Sequence, residues 1–92
     1  MARRIHVVVT GRVQNVGFRA FVQLRASELG LSGWVRNLSH GRQLEFEAEG
    51  DERAVDQLLI AVRRGPPSAH VESVMVNDKL AESQAPKGFH VQ

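Results

Sequence analysis

The stretch Ile5-His6-Val7-Val8-Val9-Thr10-Gly11-Arg12-Val13-Gln14-Asn15-Val16-Gly17-Phe18 passes from a strand, through a loop, into a helix. Ile5 to Thr10 is β-branched and nearly all apolar, which predicts a central strand buried on both faces or almost so. Gly11 to Gly17 holds two glycines and an asparagine and reads as a loop. From Phe18 the period becomes helical. Phe18, Phe21, Val22, the stem of Arg25, Ala26 and Leu29 share one face, and Gly30 stands where a helix ends on glycine.

Beyond Gly30, Leu31 to Leu38 predicts a second strand with Trp34 as its largest side chain, packed in the core or the hairpin. Ser39-His40-Gly41-Arg42 is a turn. Gln43 to Glu49 alternates strictly: Leu44, Phe46 and Ala48 face one way, Glu45, Glu47 and Glu49 the other. That is a third strand, with its glutamates expected on a solvated face. Asp51 is a suitable N-cap for a second helix, whose stripe is Val55, Leu58, Leu59 and Val62. Gly65-Pro66-Pro67-Ser68 stops it. His70 to Asn77 predicts a fourth strand through Val71, Val74 and Val76, then a polar loop from Asp78 to Lys87. Gly88-Phe89-His90-Val91-Gln92 is a possible short fifth strand. The order βαββαβ implies an α+β, split βαβ or ferredoxin-like fold, a four-stranded antiparallel sheet with two helices on one face. Residues 1–92 are expected to form one domain.

Composition narrows the function. With no cysteine there is no disulfide framework, thiolate metal site or cysteine nucleophile. His6, His40, His70 and His90 pair with no other ligand at metal-binding spacing, so neither metal nor cofactor is expected. No apolar run approaches the roughly 20 residues that span a bilayer, and the start shows no leader pattern, so a cytoplasmic chain without a membrane partner is expected. The net charge of +2 is unevenly spread: residues 1–27 carry five arginines and no acid. Such a segment either meets an anionic ligand or pairs with acids elsewhere in the chain.

The first loop suits an anion. It opens a helix, whose first N–H groups are unpaired and carry partial positive charge. Gly11 and Gly17 let the backbone curl and Asn15 tolerates the left-handed region. The N–H groups of Gln14, Asn15, Val16, Gly17 and Phe18 would then converge on one point. Arg19 sits in the first helical turn, where a cation opposes the dipole. It is either a forked ligand for phosphate oxygens or a solvated helix former. There is no Gly-Lys-Ser/Thr and no GxGxxG, so a magnesium–nucleotide loop is not expected. RNA-recognition domains share the strand and helix order, but they place aromatics on the open face of the first and third strands. Glutamates stand there instead, so no nucleic-acid partner is expected.

Gly11-Arg12-Val13-Gln14-Asn15-Val16-Gly17-Phe18-Arg19 resembles the first acylphosphatase signature, Gly-x-Val-Gln-Gly-Val-x-Phe-Arg. Gly33-Trp34-Val35-Arg36-Asn37-Leu38-Ser39-His40-Gly41 resembles the second, Gly-aromatic-Val-basic-Asn-x-x-x-Gly. The resemblance extends over essentially the whole chain. It implies hydrolysis of the carboxyl–phosphate bond of small acylphosphates, without a metal or a covalent intermediate. It implies a phosphate loop at Gln14–Phe18, a phosphate-gripping Arg19 and a water-orienting Asn37. Nothing in the sequence suggests an obligate dimer, so a monomer is expected. Three positions depart from the pattern. Asn15 replaces a glycine, His40 replaces an aspartate, and Gly41-Arg42-Gln43-Leu44-Glu45 has one residue more than Gly-x-Val-Glu. A catalytically weak phosphate-binding domain is the alternative that these departures raise.

Overall fold

Ile5, Val7 and Val9 are fully buried on one face of strand β1 (Ala2–Arg12), an interior strand of the sheet. The computed structural model describes residues 2–82 and 86–92. Helix α1 (Phe18–Glu28) follows, then β2 (Ser32–Asn37), β3 (Gln43–Asp51), helix α2 (Glu52–Arg64), β4 (His70–Lys79) and β5 (Phe89–Val91). The sheet order is β4-β1-β3-β2-β5. Four strands pair antiparallel, and β5 adds to β2 in parallel, with Gly33 opposite Phe89 and Val35 opposite Val91. The sheet is therefore mixed, because the chain crosses from the β4 edge to the opposite edge before β5 forms. The polar loop expected from Asp78 begins only after Lys79, and its residues 83–85 lie outside the described residues.

The two helices cover one face, as their stripes require. Val22 and Ala26 of α1 and Val55, Leu58 and Val62 of α2 are fully buried against Leu44, Phe46 and Ala48 of β3. Each valine, leucine or phenylalanine among them contributes about 1.5–3 kcal/mol when removed from water. β1 is less symmetric than its composition suggests: His6, Val8 and Thr10, on the other face, are half-buried. In β4, Thr10 pairs with Ser73 but Gly11 with Val71, so Glu72 is bulged outward. The bulge lets both Val71 and Val74 pack on the core despite their odd spacing.

The expectation of a solvated glutamate face is corrected. Glu45 and Glu47 are 8% and 7% exposed. Arg4, itself buried, donates to Glu47 at 2.6 and 2.9 Å and to Glu49 at 3.1 Å, and Lys79 reaches Glu47 at 2.9 Å. His6 meets Glu45 at 2.7 Å and Arg36 donates to it at 2.6 Å. Trp34 is on this open face too, not in the core, with the Arg36 guanidinium 5.2 Å over its ring and the His6 ring 6.4 Å away. Cations from three neighbouring strands cover carboxylates that alternation alone would expose.

This network sets an acid limit. Burial alone would push the Glu47 carboxyl up, but hydrogen bonds and charge from Lys79 and Arg4 outweigh it and hold it below the ordinary carboxylate range. Glu45 is likewise held low: burial opposes, and His6 and Arg36 prevail. A group with a depressed folded pKa contributes stability above its unfolded pKa and loses it as pH falls through the folded value. Unfolding free energy should therefore decline below about pH 5, where free glutamate begins to protonate. Glu47→Gln should cost roughly 1.5–3 kcal/mol at pH 7 and flatten that decline. Urea unfolding at several pH values checks both. An unchanged acid slope in the variant would remove Glu47 from this role.

Candidate active site

Asn15 has φ 60° and Gly17 has φ 77° and ψ 17°, so two left-handed residues curl the loop on either side of Val16. Asparagine is among the few side chains that adopt this conformation readily, so the loop bends at the position where the signature has glycine. Gly17 is also the N-cap of α1. Among the described residues, the backbone N–H groups from Asn15 to Arg19 take no part in the hydrogen bonds of the fold. No acid occupies the first turn of α1. The electrostatics of the loop are those of an anion cradle.

Gln14 ties this loop to the second motif. Its Nε2 donates to the carbonyls of Leu38 at 2.7 Å and Gln43 at 2.9 Å. These two residues close the β2–β3 hairpin, where the Leu38 N–H also donates to Gln43. Asn37, the preceding residue, ends β2 and pairs with Leu44. One amide side chain thus fixes the separation between the loop and Asn37. The longer turn is absorbed between Leu38 and Gln43, since Leu44 remains in the core and Glu45 faces Arg36.

An open cavity of about 390 Å³ lies where these elements meet. Asn15, Gly17, Phe18 and Arg19 line it from the loop and helix, and Asn37 from β2. Gln14 and Val16 are not in its wall: the first is engaged with the hairpin, and the second packs on the core. Arg19 is half-buried and its Nη1 donates to the main-chain oxygen of Gln92 at 2.9 Å. Gln92 in turn donates its N–H to Val35 at 2.8 Å, so β5 steadies the guanidinium. The Asn37 Oδ1 is buried and has no hydrogen-bond partner among the described residues. A buried acceptor left unsatisfied costs about 1–3 kcal/mol, so such atoms cluster where a ligand or water will engage them.

Reading the sequence alone missed the wall residues Val13, Ala20, Gln23 and Val91 and the supporting Gln92. Gln23 lines the cavity and donates to the Phe89 carbonyl at 3.1 Å. Its place one helical turn after Arg19 was an available signal. Val91 in the wall and Gln92 behind Arg19 carried no local signal, because the β5–β2 pairing that brings them there is long-range.

Comparison with known proteins gives a consistent result. The acylphosphatase family model matches residues 5–91. An acylphosphatase from Methylococcus capsulatus is 55% identical over 76 residues, covering 83% of this chain and 82% of the relative. One from Rubrobacter xylanophilus is 48% identical over 90 residues, covering 98% of this chain and 80% of the relative. The crystal structure of acylphosphatase from Bacillus subtilis superimposes with a TM-score of 0.90 at 35% identity, over 100% of this chain and 99% of that one. A match of this extent over both motifs means that the chain belongs to the acylphosphatase family.

Proposed function

We propose that this acylphosphatase works without a metal, with Arg19 and the N–H groups of residues 14–18 holding the phosphoryl group and Asn37 orienting the attacking water. The observation that carries the reading is the shared cavity of Arg19, the loop and a buried Asn37 Oδ1 with no partner. The water oxygen attacks phosphorus while the phosphorus–oxygen bond to the acyl group breaks. The bonding pair leaves with the carboxylate, and the water's proton passes to a phosphoryl oxygen. Carboxylate is a good leaving group, so positioning and charge stabilisation suffice. The guanidinium forks onto two equatorial oxygens, where charge concentrates in a loose transition state. Oδ1 accepts a hydrogen bond from the water. The amide of Asn37 is no base, so its contribution is geometric.

Inorganic phosphate, or another small oxyanion, binds the same cradle. We take the chain to act as a monomer. Its open sheet face is already covered by its own matched charges, which supports that reading.

The test is hydrolysis of benzoyl phosphate by the native chain with and without EDTA. Turnover that EDTA spares and that inorganic phosphate inhibits competitively is the expected result. A folded chain with no turnover above the spontaneous rate would leave only a phosphate-binding domain.

A further inference from the structure

Arg19, the loop and Asn37 account for the phosphoryl group and the water, yet the cavity of about 390 Å³ is larger than those two require. Val13, Ala20, Gln23 and Val91 complete its wall, and none of them is charged. Arg19 is the one charged residue in that wall among the described residues. Val13 is itself buried in the core, so the apolar surface that a ligand can reach comes from α1 and β5.

Val91 supplies the larger part of it. Side chains two apart on a strand share a face, and so do cross-strand partners, so Val91 points to the same side as Phe89 and Val35. Phe89 and Val35 are buried in the core under the helices, whereas Val91 is 41% exposed. Helix α1 holds it in place. Arg19 donates to the main-chain oxygen of Gln92 and Gln23 to that of Phe89, so two side chains one helical turn apart clamp β5 on either side of Val91. The valine thus stands fixed in the wall beside the guanidinium, with apolar surface in water that an apolar group would cover. A second anion on the acyl part would meet no further cation in this wall.

We infer, on the phosphoryl cradle proposed above, that Val91 and the adjoining Ala20 form the acyl subsite, so the chain prefers acylphosphates whose acyl part is uncharged and apolar and longer than acetyl. Gln23 is a positioning residue for that subsite, because it holds β5 against α1.

The experiment compares butyryl phosphate with acetyl phosphate, which differ by two methylenes at the far end of the acyl chain. Native kcat/KM should favour butyryl phosphate by about three- to tenfold, the scale of two methylenes on a half-open apolar wall. The ratio in a variant, divided by the native ratio, cancels the intrinsic reactivities and any general loss at the cradle. Val91→Thr keeps the branched shape and strand preference of valine but turns the wall polar, and both clamps end on main-chain oxygens, so β5 stays in place. It should lower the ratio by about threefold, and Val91→Ala should lower it at least as far. A native ratio of one or less, or a ratio that neither substitution moves, would overturn the subsite while leaving the cradle intact. Absent hydrolysis of both substrates by the native chain would instead overturn the cradle and the subsite with it, so the two failures are distinct.

Discussion

Replacing Arg19 by Gln is expected to lower kcat/KM for benzoyl phosphate by about a thousandfold, the scale of removing a transition-state charge donor. Competitive inhibition by inorganic phosphate should be lost as well. The reason is that Arg19 meets the phosphoryl group in both ground and transition states. Glutamine is shorter and neutral, and it offers one amide where the guanidinium offers a fork. Stability should scarcely change, because the side chain is half-buried and the one hydrogen bond it makes among the described residues, to the Gln92 oxygen, is at the surface. Arg19→Lys restores charge without the fork and should fall between the two. Steady-state kinetics together with thermal unfolding make the comparison. Activity within tenfold of native in a folded Arg19→Gln protein would exclude Arg19 as the phosphoryl ligand.

Asn37→Ala carries a different signature. Turnover should fall by about a hundred- to a thousandfold, while the inhibition constant of inorganic phosphate stays within about twofold. The amide orients water and leaves the phosphoryl grip to Arg19 and the loop. Oδ1 satisfies no donor of the fold, so removing it should leave the unfolding free energy unchanged or slightly raised. A variant that is as stable as native yet inactive separates a functional amide from a structural one. If the variant were clearly destabilised, Asn37 would be holding the hairpin, and the lost turnover would say nothing about water.

Elements whose signal is local were legible in the sequence. The alternation of Leu44, Phe46 and Ala48, and the stripe of Val55, Leu58, Leu59 and Val62, each specify a buried face without reference to the rest of the chain. The curl at Asn15 and Gly17 follows equally from residue type. What was not legible depends on partners far along the chain. Glu45 and Glu47 alternate as solvent-facing residues do, and Arg4 and His6 on β1, Arg36 on β2 and Lys79 on β4 bury them. Trp34 reads from the sequence as packed in the core or the hairpin, and strand parity sets it beside Arg36 and Glu47 on the open face. For the site, residue types pointed to the loop and left Arg19 open between ligand and bystander. The family signatures singled out Asn37. The Gln14 bridge to the hairpin and the Gln92 contact with Arg19 needed the folded chain.

The interior position of β1, between β4 and β3, has a consequence for how the chain is made. Its neighbours are β3 and β4, both synthesised later, and β4 is the later of the two. While translation proceeds, Val7, Val8 and Val9 leave the ribosome as an unpaired apolar strand with two open edges. Pairing on the second edge waits until the segment ending at Lys79 has emerged. Folding therefore depends on contacts distant in sequence, which slows it and leaves the nascent strand open to wrong partners. The loop that follows β1 shares that delay, so the cradle is complete only when β4 and β5 are out.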